Sequence, residues 1–442
     1  MTQLSDTARP ARTRTGLPGL ATVAVLAICT PLTLDLAGLA LNPIRIVLLT
    51  VTAPLLVMLF MGRLGRFGAI DALVLGYSLW QVVAIAVNNP ERVVQFSGSN
   101  TLDFLGGYLI GRAAIRSPED MARFVKLLMV VLLVLLGPAL IESQTGRPLI
   151  PELLSRAGLA TIDDVPALPR LGLERAQAVF SHPIHYGLFA SSMLALVFVG
   201  LSHRLSMTRR VLAGGLVIVS TVLSVSSGAL LPLAIQVFLI GWALTAHRIT
   251  RRWLVLGVLS LLGFAVIELL SDRPAIVAVL TRLAFNAHNV YMRTLIFTHG
   301  MENILANPVF GLGLNDWVRP AFMYSGSVDN FWILNGMRYG IPGVAMIAAA
   351  MAVAMIGVGR RRFAPGGEAA AWQLAWMLSM ISLVLTLFTV HVWGGVYTYL
   401  MIMMASGQFL ITWEEAPDRT PASPADAPPR RRGPVYTRFG PN

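Results

Sequence analysis

Twelve apolar runs recur along this 442-residue chain, at 17–35, 43–62, 67–88, 101–116, 124–141, 183–202, 211–226, 229–246, 253–270, 331–357, 372–390 and 394–412. Most are about 16 to 22 residues long, and an α-helix of about 20 residues spans the hydrocarbon core of a bilayer. The repetition predicts an all-α integral membrane protein of about 12 transmembrane helices, with 17–412 as one polytopic membrane domain. The balance of residue types agrees: 55% of the chain is hydrophobic and 13% charged, where soluble domains carry roughly 25% charged residues. The one cysteine, Cys29, lies inside the first run, so neither a disulfide framework nor a cysteine metal site is open to the chain.

A net charge of +12 would suit nucleic acid if it were gathered on one face. Instead the basic residues fall in short clusters between the runs: Arg63 and Arg66; Arg112, Arg116, Arg123 and Lys126; Arg204, Arg209 and Arg210; Arg248, Arg251 and Arg252; Arg360, Arg361 and Arg362; and Arg430, Arg431 and Arg432. If all twelve runs span, every cluster falls on the side of the N-terminus, where Arg9, Arg12 and Arg14 stand. This alternation marks membrane topology rather than a nucleic-acid partner, and the positive-inside rule puts both termini in the cytoplasm. Residues 1–16 read as a cytoplasmic tail, against a competing signal peptide for which no clear small-residue cleavage site follows. Residues 413–442, rich in proline, read as a disordered cytoplasmic tail. The apolar stretch Val211 to Ala246 has basic residues at both ends, so it must turn back near Ser226–Ser227–Gly228. The run at 101–116 holds Gly106, Gly107, Gly111 and Arg112, and charge parity alone argues for it as a span.

Two connections on the far side exceed ordinary turns: 142–182, which carries Pro148, Pro151, Pro166 and Pro169, and 271–330. Within the second, Val290, Leu295, Ile296, Met301, Ile304 and Leu305 fall roughly on one helical face, which predicts a helix on the membrane surface or over a cavity. No internal repeat relates the two halves, which counts against the common transporter architectures.

No Walker loop is present, no GxGxxG follows a strand, and no His or carboxylate pair stands at metal-ligand spacing on a helix face. Neither metal nor cofactor is expected, and the candidates for chemistry lie in and beside the long connections. Arg175 precedes the 183–202 run in ERAQAVFSHPIHYG, with Pro183 placed to open the helix. Its guanidinium either binds an anionic head group through paired bonds or snorkels to the interface. His182 and His185 flank the same junction, as interfacial or catalytic groups. Arg293 stands beside Tyr291 and Phe297, as a surface arginine or a ligand; His288 and Arg319 share its connection. In Ser327-Val328-Asp329-Asn330-Phe331 an acid sits at the mouth of the 331–357 helix, and Asp329 is either a helix cap or a base. Arg338 lies one to two turns inside that apolar helix, where a charge is costly enough to suggest function. Asp35, Asp103, Glu268 and His391, near outer helix ends, read as interface residues.

An Arg followed by F-x-H-P-I-x-x-G before a helix (Arg175, Phe180, His182, Pro183, Ile184, Gly187) resembles the first signature of the O-antigen ligase and polysaccharide polymerase superfamily. So do R-x-x-I (Arg293, Ile296), N-P-V-F-G-L-G (Asn307, Pro308, Phe310, Gly311, Gly313) and R-Y-G-I-P-G (Arg338 to Gly343). The motifs fall within 170–345; helix count and loop placement extend the resemblance to the whole chain. It implies a bacterial inner-membrane enzyme whose long connections are periplasmic loops. The implied reaction is an inverting, metal-independent glycosyl transfer from a polyprenyl-diphosphate-linked oligosaccharide to a hydroxyl of a second glycan. The partners implied are that donor, membrane lipid and a chain-length or export protein.

Members of this superfamily place two arginines at the diphosphate, matching Arg175 and Arg293, and Arg338 joins them here as a candidate. They also carry a His-Asn pair that activates the acceptor. Asp329-Asn330 stands in its place, and Ser227 stands where a Ser-Arg pair often occurs, so either the base is Asp329 or, failing it, His288 or His185, or the chain binds lipid-linked sugar without turnover. A carboxylate with a pKa of about 4 is ionised but weak as a base, and burial would raise it.

Physical requirements lead the same way. A lipid-diphosphate donor needs a hydrocarbon-lined groove, arginines at the boundary and a dry site for the glycosyl centre. The diphosphate is its own leaving group, so no nucleotide-binding fold is required. Three functions remain in view: a polymerase of exopolysaccharide or O-antigen repeat units; a ligase handing the glycan to lipid A core or another acceptor; and a transporter or flippase, which predicts broken helices in matching halves. Candidates clustered on one side, in two long loops, favour an enzyme.

Overall fold

The computed structural model describes residues 16–36, 39–162, 168–170, 172–271 and 287–415, so the two expected tails lie almost wholly outside it. Apart from a small hairpin pairing Leu34–Leu36 with Leu39–Leu41, the regular elements among the described residues are helices. Nine of these helices are long and apolar enough to cross a membrane: Pro43–Phe60, Ala69–Asn88, Pro118–Thr145, Pro183–His203, Ser227–Thr245, Arg252–Leu270, Phe331–Gly359, Glu368–Thr386 and Gly394–Thr412.

The other three apolar runs hold shorter helices, each for a local reason. Pro18–Ile28 stops short of Pro31, which lacks an amide hydrogen, and the chain enters the hairpin. Met207–Leu223 ends where Val225 adopts a left-handed φ of 39°, turning the chain into Ser227–Thr245 and forming the expected hairpin. Gly107–Ala114 closes a helical stretch distorted by two π-helical pieces, Val93–Gly98 and Leu102–Gly106. Its glycines have a packing role: a Cβ on Gly107 or Gly111 would stand 2.6 Å from the carbonyl oxygen of Thr398 or Ile402. Their absence lets the Gly394–Ser406 backbone approach closely, the small-residue mode of membrane helix packing.

Four of the arginine clusters, at 63–66, 112–126, 204–210 and 360–362, are tied together at one end of the bundle. Arg112 bonds to the Arg66 carbonyl at 3.1 Å and to Asp71 at 3.2 Å, and Arg116 reaches the Arg63 carbonyl at 3.0 Å. Arg204 bridges Glu119 and Glu368, and Arg361 donates to the Trp413 carbonyl at 2.6 Å. Segments 41 to 164 residues apart are thereby fastened together.

At the opposite end, the Phe331–Gly359 helix is broken at Gly340, whose φ of 69° and ψ of −175° are not helical. The break frees backbone groups that a bilayer cannot satisfy, and the N-P-V-F-G-L-G segment satisfies them. Leu312 donates to the Met337 carbonyl at 2.6 Å and Gly313 to the Arg338 carbonyl at 3.1 Å, while Ile341 donates to the Pro308 carbonyl at 2.7 Å. Trp80 seals the joint: its Nε1 donates to the Tyr339 carbonyl at 2.8 Å and its ring stacks on Phe310. The expected loop helix is present as Ala287–Ala306, and it packs on Phe331–Gly359. Ile296 and Ile304 of its apolar face are buried in a cluster with Trp317, Ile333 and Met337, whereas Leu305 faces outward.

An alanine at Gly340 would carry the cost of an essentially glycine-only backbone conformation, about 1–3 kcal/mol, and bring its Cβ within 2.0 Å of the Val309 carbonyl oxygen. Gly340→Ala is expected to lower the thermal midpoint of the detergent-solubilised protein by a few degrees. Gly257→Ala, at a position with nothing within 4 Å of the added carbon, serves as the control. Equal midpoints for the two variants would contradict the lock.

Candidate functional site

Arg175 is placed by backbone bonds on either side of it. Glu142, at the end of Pro118–Thr145, accepts the backbone N–H of Gln177 at 2.9 Å and of Ala178 at 2.8 Å. Glu174 donates to the Ser143 carbonyl and Ala176 to the Leu223 carbonyl, both at 3.0 Å. Ala178 is held at φ 55°, a left-handed conformation that a residue with a Cβ adopts only when its surroundings enforce it. The segment ends at His182, whose Nδ1 accepts the Ile184 N–H at 3.1 Å, and Pro183 opens the next helix as expected. That bond assigns the tautomer: Nδ1 is the acceptor, so the neutral ring carries its hydrogen on Nε2.

Four charged groups act on one another here. Burial lowers the Arg175 guanidinium to about 10, with Arg170 lowering it further and Asp329 opposing both. Arg293 is lowered by burial in the same way, again raised by Asp329 and lowered by Arg170. Arg175 and Arg293 stay cationic at neutral pH, so among the described residues Arg170, Arg175 and Arg293 set three guanidiniums against the carboxylate of Asp329. Nε of Arg175 and Nη1 of Arg293 are buried without a hydrogen-bond partner. An unmatched buried donor costs about 1–3 kcal/mol, and the oxygens of an anion would satisfy both.

The alternative reading of Asp329 as a helix cap resolves toward its neighbour. Asn330 is the N-cap of Phe331–Gly359, its Oδ1 accepting the Ile333 N–H at 3.0 Å. Asp329 is exposed, accepts the Ser327 hydroxyl at 3.4 Å, and acts electrostatically on Arg175 and Arg293. Arg319 belongs to the loop instead. It pairs with Asp316 at 2.5 Å, holding that carboxyl below the usual range, and donates to the Met323 carbonyl at 2.9 Å. The side chain of His288 lies outside the described residues.

Beside this group lies a cavity of about 450 Å³, within the size range of small-molecule sites. Phe180 and Ser181 of the Arg175 segment line it, as do Arg338, His185, His391 and Trp393. Arg338 comes from the half-helix that ends at Gly340, its guanidinium 5.3 Å from the Phe96 ring centre. His185 is 1% exposed, lies 4.0 Å from the Trp393 ring, and has its Nε2 unpaired. The Nδ1 of His391 is likewise buried and unpaired. Burial lowers His391 to about 3, with Arg338 acting in the same direction, so the ring is neutral. Two ring contacts join cavity to charge cluster: His182 lies 6.0 Å from Trp393, and Phe331, next to Asn330, lies 6.3 Å from His391.

The structure therefore groups Arg175, Arg293, Asp329 and His182 at the charge cluster, and Arg338 with His185 in the cavity wall. Asn330 supports the first set, and Arg319 is engaged apart from both. Sequence reasoning passed over Arg170 and underrated Asp103 and His391, which were read as interface residues. Asp103 is buried in the cavity wall and paired twice with Arg45, at 3.0 and 3.3 Å. The signal for it was present, an acid inside an apolar run. No cluster of three or more His, Cys, Asp or Glu able to hold a metal ion occurs among the described residues. No protein-family model matches the chain, and no curated protein matches it.

His182 titrates near pH 6.5 when unfolded and near 4 when folded, burial being the main cause and Arg175 and Arg170 the rest. Between those values the unfolded chain holds a proton that the folded one does not, so stability falls as pH drops from about 6.5 toward 4. His182→Asn keeps a capping oxygen and is expected to flatten this decline in thermal midpoint. An unchanged slope would contradict the neutral, cap-bonded histidine.

Proposed function

We propose that this protein is a membrane glycosyltransferase that polymerises lipid-diphosphate-linked repeat units of an exopolysaccharide or O-antigen. In this reading all twelve apolar runs cross a bacterial inner membrane. The arginine-rich end is cytoplasmic, as are both termini, and the charge cluster lies on the periplasmic side. The observation that carries the proposal is that Arg175 and Arg293 both lie within electrostatic reach of Asp329, each arginine with a buried nitrogen lacking a partner. Charged donors fixed in place before a leaving group arrives are what a departing diphosphate requires.

In the proposed step, an acceptor hydroxyl oxygen bonds to the anomeric carbon as that carbon's bond to the diphosphate oxygen breaks. The bonding electron pair leaves with the diphosphate, whose growing charge Arg175 and Arg293 stabilise. The hydroxyl proton passes to the carboxylate of Asp329. An exposed carboxylate is a modest base, so proton loss follows bond breaking rather than leading it. A transporter would instead call for broken helices in matching halves and contacts at the midplane. Here the charge cluster is drawn from loops and helix ends.

Purified protein in lipid nanodiscs, given its host's lipid-linked repeat unit without nucleotide or metal, is expected to produce a ladder of longer glycans. Arg175→Ala and Arg293→Ala should each cut the rate by roughly a hundredfold or more, and Asp329→Asn should abolish elongation while sparing donor binding. Wild-type polymer output from Arg293→Ala at normal protein abundance would refute the assignment.

A further inference from the structure

The charge cluster and the cavity beside it differ in what they can bind. At the cluster, among the described residues that act on Arg175 and Arg293, guanidiniums outnumber carboxylates, and Arg175 and Arg293 each have an unpaired buried nitrogen. In the cavity, Arg45 is matched by Asp103 through two bonds, so the pair contributes little net charge, and Arg338 lies over the Phe96 ring. An anion with two or more charges therefore goes to the cluster. What remains in the cavity is the single positive charge of Arg338 and a set of neutral polar atoms beside an aromatic wall: Nε2 of His185 and Nδ1 of His391, both buried and unpaired, next to the partly exposed ring of Trp393. Hydroxyl groups are the ligands that fit, because each can donate to or accept from a neutral imidazole. The C–H face of a sugar ring likewise fits an indole better than water does.

We infer that the cavity is a sugar subsite, in which His185 and His391 hydrogen-bond the hydroxyls of a sugar residue packed against Trp393, with the Arg45–Asp103 pair as a second polar edge. Resting on the proposed function, this makes the cavity the acceptor site and the adjoining cluster the diphosphate site. Phe180 and Ser181 line the cavity a few residues beyond Arg175, and the His182–Trp393 and Phe331–His391 contacts adjoin it. An acceptor bound there lies next to the donor's diphosphate.

The test is direct binding, read without turnover. The probe is the host's repeat-unit oligosaccharide, released from its lipid diphosphate by mild acid and titrated into nanodisc-bound protein by calorimetry. Wild type is expected to bind it saturably. His391→Leu should weaken binding by about tenfold, as loss of one or two hydrogen bonds implies, whereas His391→Asn, which keeps a hydrogen-bonding edge, should retain most of it. Arg175→Ala should leave oligosaccharide affinity unchanged while losing affinity for polyprenyl diphosphate, measured in parallel. Equal affinities for wild type and a folded His391→Leu, or no saturable binding by wild type, would overturn the inference. Failure of wild type to bind polyprenyl diphosphate would instead overturn the proposed function, and the two results are read separately.

Discussion

The break at Gly340 is the constraint on which the functional end of this protein depends. A helix interrupted inside or near a bilayer leaves amides and carbonyls that lipid cannot satisfy, and each would cost several kcal/mol. The chain answers with another of its own segments: the amides of Leu312 and Gly313 enter the gap, and the Pro308 carbonyl receives the amide of Ile341. The two glycine-bearing motifs, some thirty residues apart in sequence, are thus the halves of one joint. Closing it sets the end of the half-helix that carries Arg338 and seats the connection from Ala287–Ala306, on which Arg293 stands.

The Arg175 segment is fixed by a different device with the same logic. The carboxylate of Glu142 collects two backbone amides and holds Ala178 in a conformation it would not otherwise keep. Rigid placement matters because charged donors stabilise a leaving group only if they need no rearrangement when it forms. At the opposite end the arginines are bonded to carbonyls and carboxylates of neighbouring loops.

Much of this was legible in the sequence because membrane helices announce themselves by length and composition. The all-helical class, the turn after Met207–Leu223 and the start of a helix at Pro183 follow from apolar runs and from proline and glycine. Where length alone was used it fell short: Pro31 and the π-helical pieces shorten or distort helices that hydropathy treats as equal to the rest. The site was legible as a set of types, not as a set of neighbours. Arg175, Arg293 and Asp329 stood out as charges beside apolar runs, but one hundred or more residues separate Arg175 from the other two, and no local rule brings them together. The sequence offers Asp329 as the cap, and the Asn330 bond to Ile333 gives that role to its neighbour. His391 follows an apolar run like any interface residue, and only the fold puts it in the same cavity wall as His185.

The central claim is that Arg175 and Arg293 hold a diphosphate while the adjoining cavity stays free for sugar. The most direct measurement is a cryo-electron microscopy structure of the protein in nanodiscs soaked with polyprenyl diphosphate. The account predicts diphosphate density within hydrogen-bonding distance of both guanidiniums, with the space between His185 and His391 free of phosphate. Diphosphate density between His185 and His391, or at the arginine-rich opposite end, would contradict it.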